Sequence, residues 1–125
     1  MSSILLDANI LIYLVDPAAD YDNLRDLTSG KTVHIADITK LEVLGYHLIT
    51  VSEAKSLEQL ILSAQRVALS GEVVQSAIGL RQARRMSLGD ALTAASAIMA
   101  DLELWTHNTE DYRNIPGLKL FDPLA

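Results

Sequence analysis

The chain contains no cysteine, which removes disulfides, zinc–thiolate centres and thiol nucleophiles together. It has no long hydrophobic run: the longest apolar stretch, Ile10 to Val15, falls far short of the ~18 residues of a membrane span. Met-Ser-Ser at the N-terminus has no positive flank, and Asp7 interrupts what would be the apolar region of a signal peptide, so the expected location is the cytoplasm. Aromatic residues make up only 5% of the chain, whereas Leu, Ala and Ile dominate a hydrophobic half, as suits a globular domain rich in helix. Basic charge is scarce as well. The net charge of −6 argues against binding nucleic acid by bulk electrostatics, although bound divalent cations can reverse the sign of a site locally. A length of 125 residues suits one domain, 1–125, with a single three-layer core.

What is present is organised around Ile4-Leu5-Leu6-Asp7-Ala8-Asn9-Ile10-Leu11-Ile12-Tyr13. Ile4 to Leu6 has the bulk of a buried strand, and Ile10 to Val15 can lay a wide apolar face on a sheet as a helix. Asp7 and Asn9 are the polar residues between them, at the point where a strand stops and a helix begins. In an open α/β sheet, that carboxyl-end crevice is where ligands bind.

The rest of the chain alternates between the two periods. Pro17 to Asp20 reads as a turn and Asp20 to Ser29 as a helix with Leu24 and Leu27 inward, stopped by Gly30. Thr32 to Ala36 is a strand, followed by a helix from Asp37–Thr39 to about Leu48, with Leu41, Leu44 and Leu48 at helical spacing. Ser52 to Ser63 is a helix with Ala54, Leu57, Leu60 and Ile61 on one face. Gln65 to Leu69 could extend that helix or form a short strand; Ser70-Gly71, which punctuates a fresh helix from Glu72 to Arg85, favours the strand. Ser87 to Asp90 opens a small-residue helix over Ala91 to Leu102. Leu104 to Thr106 is a strand, Thr109 to Arg113 a helical turn, Ile115-Pro116-Gly117 a tight turn, and Leu118 to Phe121 the last strand. Strands alternating with helices predict an α/β fold of three layers, a mostly parallel central sheet of four or five strands flanked by helices.

Besides Asp7, three acids stand out by position. Glu42 lies three residues after Thr39, Asp90 three after Ser87, and Asp111 three after Asn108. Each spacing matches a helix N-cap with an acid reaching back from the third helical position, a role that also gains from the helix dipole. The alternative is a site. Helix N-termini after parallel strands gather at one edge, and four carboxylates there would repel by several kcal/mol at short range. Such a cluster makes sense if it holds Mg²⁺ or Mn²⁺, which take oxygen ligands.

Leu5-Leu6-Asp7-Ala8-Asn9, Ile38-Thr39-Lys40-Leu41-Glu42-Val43 and Leu88-Gly89-Asp90-Ala91-Leu92-Thr93-Ala94-Ala95 resemble the three acidic blocks of the PIN-domain family. Trp105 to Tyr112 resembles its fourth block, and Pro116 to Pro123 its usual ending. Order, spacing and length are most similar to the toxin subunits of VapBC-type toxin–antitoxin pairs. The resemblance implies a ribonuclease dependent on Mg²⁺ or Mn²⁺. By position, Asp7, Glu42, Asp90 and Asp111 match the family's catalytic, metal-binding quartet, with Asp7 and Asp90 as direct ligands. Asn9, Thr106 and Asn108 match its supporting polar residues. The implied partners are an RNA substrate, a small basic antitoxin and a second copy of the chain as a homodimer, with no membrane.

Asp37 and Gly89 depart from the pattern: the first adds an acid where a small or apolar residue is expected, and the second loosens a helix start. Arg84 and Arg85, with Arg81, form the dense basic group and could grip RNA phosphates or complement a helix C-terminus. Trp105 reads as core or interface, and His34, His47 and His107 share no metal-ligand spacing. Two other functions compete: a PIN fold that binds a partner and cleaves nothing, and a phosphoacceptor signalling domain. The second lacks an acidic neighbour for Asp7 and any Lys between Lys55 and Lys119.

Overall fold

A computed structural model of the chain describes residues 2–17 and 21–125. The expected turn after Pro17, and the expected helix start at Asp20, lie largely outside the described residues. The elements in order are β1 (Ser3–Leu6), α1 (Ala8–Val15), α2 (Asp22–Thr28), β2 (Thr32–Ala36), α3 (Asp37–Leu44), α4 (Val51–Ser63), β3 (Gln65–Val67), α5 (Gly71–Ala83), α6 (Leu88–Met99), β4 (Glu103–Trp105), a 3₁₀ turn (Thr109–Tyr112) and β5 (Lys119–Phe121).

The strands form one sheet in the order β3-β2-β1-β4-β5, and every neighbouring pair is parallel. β1 is central, with Leu5 opposite His34 of β2 on one side and Leu104 of β4 on the other. Ile4, Leu5 and Leu6 are all buried, the continuous apolar run that a strand covered on both faces requires. One face of the sheet packs a core including Leu5, Ala91, Ala94, Ala95 and Leu104; the other packs Ile4, Leu6, Ile10, Leu11, Leu24, Ile35 and Leu57. The small side chains of α6 sit in the first of these, with Ala91 through Ala97 buried, so that helix lies close against its neighbours.

The order of strands decides where ligands can go. From β1 the chain works outward through β2 to β3, then returns to the other side of β1 for β4 and β5. The switch point is therefore the crevice at the carboxyl ends of β1 and β4. A phosphoacceptor domain of the flavodoxin-like type has the order 2-1-3-4-5, so the sheet rules out that reading.

Three local expectations are corrected. The third helix ends at Leu44, capped by Gly45, and not near Leu48; Leu48 and Leu41 are mostly exposed, and Thr39 and Val43 form the buried face. That helix also starts at Asp37, so Thr39 lies inside its first turn, fully buried, with a hydroxyl that has no hydrogen-bond partner. The cause is Asp37. Its carboxylate receives Arg66 Nε and one guanidinium nitrogen at 2.7 Å each and the Leu69 amide at 3.0 Å, tying the helix start to β3 and the loop beyond it. The Arg66 guanidinium holds the Asp37 carboxyl down at about 2. The unexpected acid is thus a clamp on the edge strand. A capping box does occur, but between Thr50 and Glu53 at the start of α4. Gly30 and Gly117, at φ +81° and +82°, supply the left-handed turns that end α2 and precede β5.

Candidate active site

Asp7 leaves the end of β1 directly into the switch-point crevice. Its amide donates to the Trp105 carbonyl at the end of β4, which continues the sheet pairing one residue further. Oδ1 accepts the Ala8 amide at 2.8 Å, so Asp7 is indeed a helix cap. Oδ2 accepts the hydroxyl of Thr106 at 2.8 Å and lies 3.1 Å from the hydroxyl of Tyr112. Capping and site-building are therefore the work of one carboxylate, whose two oxygens divide the roles.

Thr106 is fully buried just after β4 and fixes this arrangement. Its proton goes to Asp7, while its oxygen accepts the Asn108 amide at 3.0 Å and the Asn9 side-chain amide at 3.4 Å. Asn9 Oδ1 in turn accepts the His107 amide at 3.2 Å. Asn9, Thr106 and Asn108 thus join the start of α1 to the loop after β4, although Asn108 contributes its backbone and its side chain is exposed.

Asp90 arrives from the first turn of α6. Ser87 Oγ caps that helix by accepting the Asp90 amide at 3.1 Å, and the Asp90 carboxylate meets the Tyr112 hydroxyl at 3.2 Å. Glu42 comes from the second turn of α3. Because that helix begins at Asp37, the first-turn cap reading fails for Glu42. Its carboxylate instead lies over Gly89: a Cβ placed there would come within 2.6 Å of Glu42 Oε2. Gly89 makes room for one acid at the foot of the helix that carries another.

The three carboxylates sense one another. Burial pushes the Asp7 carboxyl up, against the hydrogen bonds from Thr106, Ala8 and Tyr112, and the charge of Asp90 adds to the rise. Glu42 is raised by desolvation and by the charges of Asp7 and Asp90. Asp111 is placed differently. Like Glu42 it is exposed, but it stands on the 3₁₀ turn and lines, with Asp90, Ser87, Glu110, Arg84 and Arg85, a cleft at the mouth of the site. Its amide donates to the Asn108 carbonyl, so the expected side-chain cap by Asn108 is not formed.

The other candidates separate in the same way. Arg81 Nε donates to the Met86 carbonyl and Arg84 to the Arg113 carbonyl. Arg85 is exposed and unpaired among the described residues, yet lines the cleft beside Asp90 and Asp111. His107 Nδ1 pairs with Asp122 at 3.1 Å. Trp105 is buried against Phe121, with its indole N–H on Glu103, in keeping with the core reading. Tyr112 is the residue that sequence reasoning missed. The available signal was weak: a tyrosine that is buried must find a partner for its hydroxyl, but nothing local shows that it is buried.

The donor set is all oxygen, which suits a hard divalent cation. Two of the three carboxyls are raised partly by their neighbours' charge, a repulsion that such an ion would relieve. The residues therefore fit the ion chemically. Among the described residues, no three acidic or histidine side chains form a ready-made ligand group.

A family model described as PIN domain matches residues 4–118. The chain belongs to the PIN-domain family. A comparison with curated proteins finds no match. Among solved structures, this PIN domain is similar to a chain of a toxin–antitoxin complex from Klebsiella pneumoniae, at 27% identity and a TM-score of 0.76, covering 96% of this chain and 97% of that one. It is also similar to a chain of VapBC2 from Rickettsia felis bound to a DNA fragment from their promoter, at 22% identity, TM-score 0.77, and coverage of 95% and 97%. VapBC-1 from nontypeable Haemophilus influenzae has a similar chain, at 19% identity and a TM-score of 0.78, covering 98% of this chain and 99% of that one. Among the described residues, no helix is long and apolar enough to cross a membrane.

Proposed function

We propose that this PIN domain is a metal-dependent endoribonuclease and the toxin of a toxin–antitoxin pair. The observation that carries the reading is the meeting of Asp7, Glu42 and Asp90 at the switch point of the sheet, where Asp7 and Glu42 are both raised partly by neighbouring acids. Asp7 is buried, Asp90 half-buried and Glu42 exposed; like charges gathered at one point repel, and a bound cation is the simplest way to offset that repulsion.

Asp7 and Asp90 would hold Mg²⁺ or Mn²⁺, with Glu42 beside them and Asp111 at the rim. The bound ion would supply Lewis-acid polarisation of a scissile phosphate and a water of lowered pKa. The protein's own part is to position and to neutralise. Thr106 and the Ala8 amide orient Asp7, Gly89 lets Glu42 approach, and Arg85 offers a free cation to an RNA phosphate at the cleft. No side-chain nucleophile is required.

The antitoxin reading is supported by the Klebsiella pneumoniae neighbour, which is a chain of a toxin–antitoxin complex. A pocket lined by Ile12, Tyr46, Ile49 and Leu57 opens beside Glu42 and Glu53, and Ile12 and Tyr46 are substantially exposed. Apolar floor and acidic rim suit a basic, amphipathic antitoxin segment, as does the net charge of −6.

The test is cleavage of structured RNAs by wild type and Asp90→Asn, with Mg²⁺, with Mn²⁺ and with EDTA. Discrete products that need metal and vanish in the variant are expected. If a preparation free of antitoxin is as inert as the variant on every RNA, the domain is a binding module. Gly89→Ala separates site from scaffold. The new methyl displaces the flexible end of Glu42, so melting should change by no more than the ~1 kcal/mol that separates Ala from Gly in a helix. Cleavage should fall by up to about 10²-fold, as misplacement of about an ångström can cause. An unchanged cleavage rate would mean that Glu42 has no part in the reaction.

A further inference from the structure

We propose that the Tyr112 hydroxyl is a positioning group that holds Asp7 and Asp90 together at the cation site; this rests on the metal-dependent reading above. Tyr112 is 1% exposed, and its ring belongs to the core cluster that includes Leu5, Ala91 and Leu104. Phenylalanine would fill the same apolar space. The hydroxyl is the part that packing does not explain, since a buried hydroxyl is unfavourable unless it is hydrogen-bonded. Its partners are Asp7 Oδ2 at 3.1 Å and Asp90 Oδ1 at 3.2 Å, and one proton serves both.

These contacts link three parts of the chain that no backbone pairing connects at this point: the end of β1, the first turn of α6 and the 3₁₀ turn after β4. The Asp7 oxygens are otherwise engaged by Ala8 and Thr106, whereas Tyr112 is the side-chain donor that reaches Asp90. A phenol keeps its proton at neutral pH, so the group is a donor to both acids. A shared donor offsets part of the repulsion between the acids before any ion is bound. It also keeps one oxygen of each acid turned toward the other, leaving Asp90 Oδ2 without a hydrogen bond among the described residues. Groups that orient metal ligands in this way commonly contribute 10- to 100-fold to metal affinity.

Tyr112→Phe keeps the ring and removes only the hydroxyl. Mn²⁺ is titrated into wild type and variant by calorimetry, without RNA, and melting is recorded in EDTA. The expected result is a folded variant whose Mn²⁺ dissociation constant is raised roughly 10- to 100-fold, with RNA cleavage recovering at excess Mn²⁺. Lower melting in EDTA with unchanged Mn²⁺ affinity would mark the hydroxyl as merely structural and overturn the inference, as would tighter Mn²⁺ binding. Wild type without saturable Mn²⁺ binding overturns the metal reading and this inference together. An independent check needs no variant: the Tyr112 hydroxyl proton, followed by NMR in the wild-type protein, should shift when Mg²⁺ is added. A resonance that stays in place while Mg²⁺ binds overturns the inference.

Discussion

Asp7→Asn should abolish metal-dependent RNA cleavage and at the same time leave the metal-free protein as stable as wild type or more so. The loss of activity should reach at least about 10³-fold, or ~4 kcal/mol of transition-state stabilisation, because the variant removes charge from the residue that sits deepest in the site. The effect on stability has the opposite sign for a physical reason. The Asp7 carboxyl is raised by burial and by Asp90 above its ordinary value of 3.8. The folded protein therefore binds that proton more tightly than the unfolded chain. The favourable contribution is complete below the ordinary carboxylate range and is lost as the pH rises through the folded-state value. Above that value the wild type carries the cost of a buried anion. Asparagine keeps an oxygen for the Ala8 amide and can donate its NH₂ to the Tyr112 hydroxyl; the Thr106 oxygen already accepts from Asn108 and Asn9, so one hydrogen bond there is lost against the relieved charge. Melting curves in EDTA should show the variant at or above wild type near neutral pH, with the two converging in acid. A variant that melts well below wild type across the whole range would mean that the Asp7 charge is structural.

The second large effect is the response of stability to divalent ions. An ion that binds only the native state, present at about 100 times its dissociation constant, adds about 2.7 kcal/mol. For a domain of this size, that is roughly a 10 °C rise in melting temperature. The rise should be reversed by EDTA and absent from Asp7→Asn. It should also shrink on acidification sooner than ordinary carboxylates would predict. Asp7 and Glu42 both hold their protons more tightly than free side chains do, so proton and ion begin to compete at a higher pH. An equal rise in wild type and variant would place the ion elsewhere on the surface and detach the acidic site from metal binding.

Much of the fold was legible because the relevant forces are local. Apolar runs of strand length, helical stripes on α2 and α4, and turn residues such as Gly30 and Gly117 located nearly every element, and β2 was placed to the residue. The short β3 was also read correctly, from the fresh helix start at Ser70-Gly71. The error at α3 shows where local reading fails. Thr39 and Glu42 have the spacing of a capping box, but Asp37 starts the helix earlier by pairing with Arg66, 29 residues away in sequence. A contact that distant leaves no local trace.

The same division holds for the site. Asp7 could be placed at a ligand-binding edge from its sequence alone, because a strand-to-helix junction is visible in the order of apolar and polar residues. What the acids do to one another depends on the order β3-β2-β1-β4-β5, which brings the end of β4 beside the end of β1 across almost a hundred residues of chain. That crossing supplies Thr106 under Asp7 and Tyr112 between Asp7 and Asp90, and the packing of α3 against α6 sets Glu42 over Gly89. By itself the sequence determined the elements, the parallel class of the sheet and the chemical type of the site, since these follow from periodicity and side-chain chemistry. Only the tertiary structure decided which carboxylate is buried, which are raised by their neighbours and which one stays at the rim, because burial and charge coupling depend on distances through space that chain order does not encode.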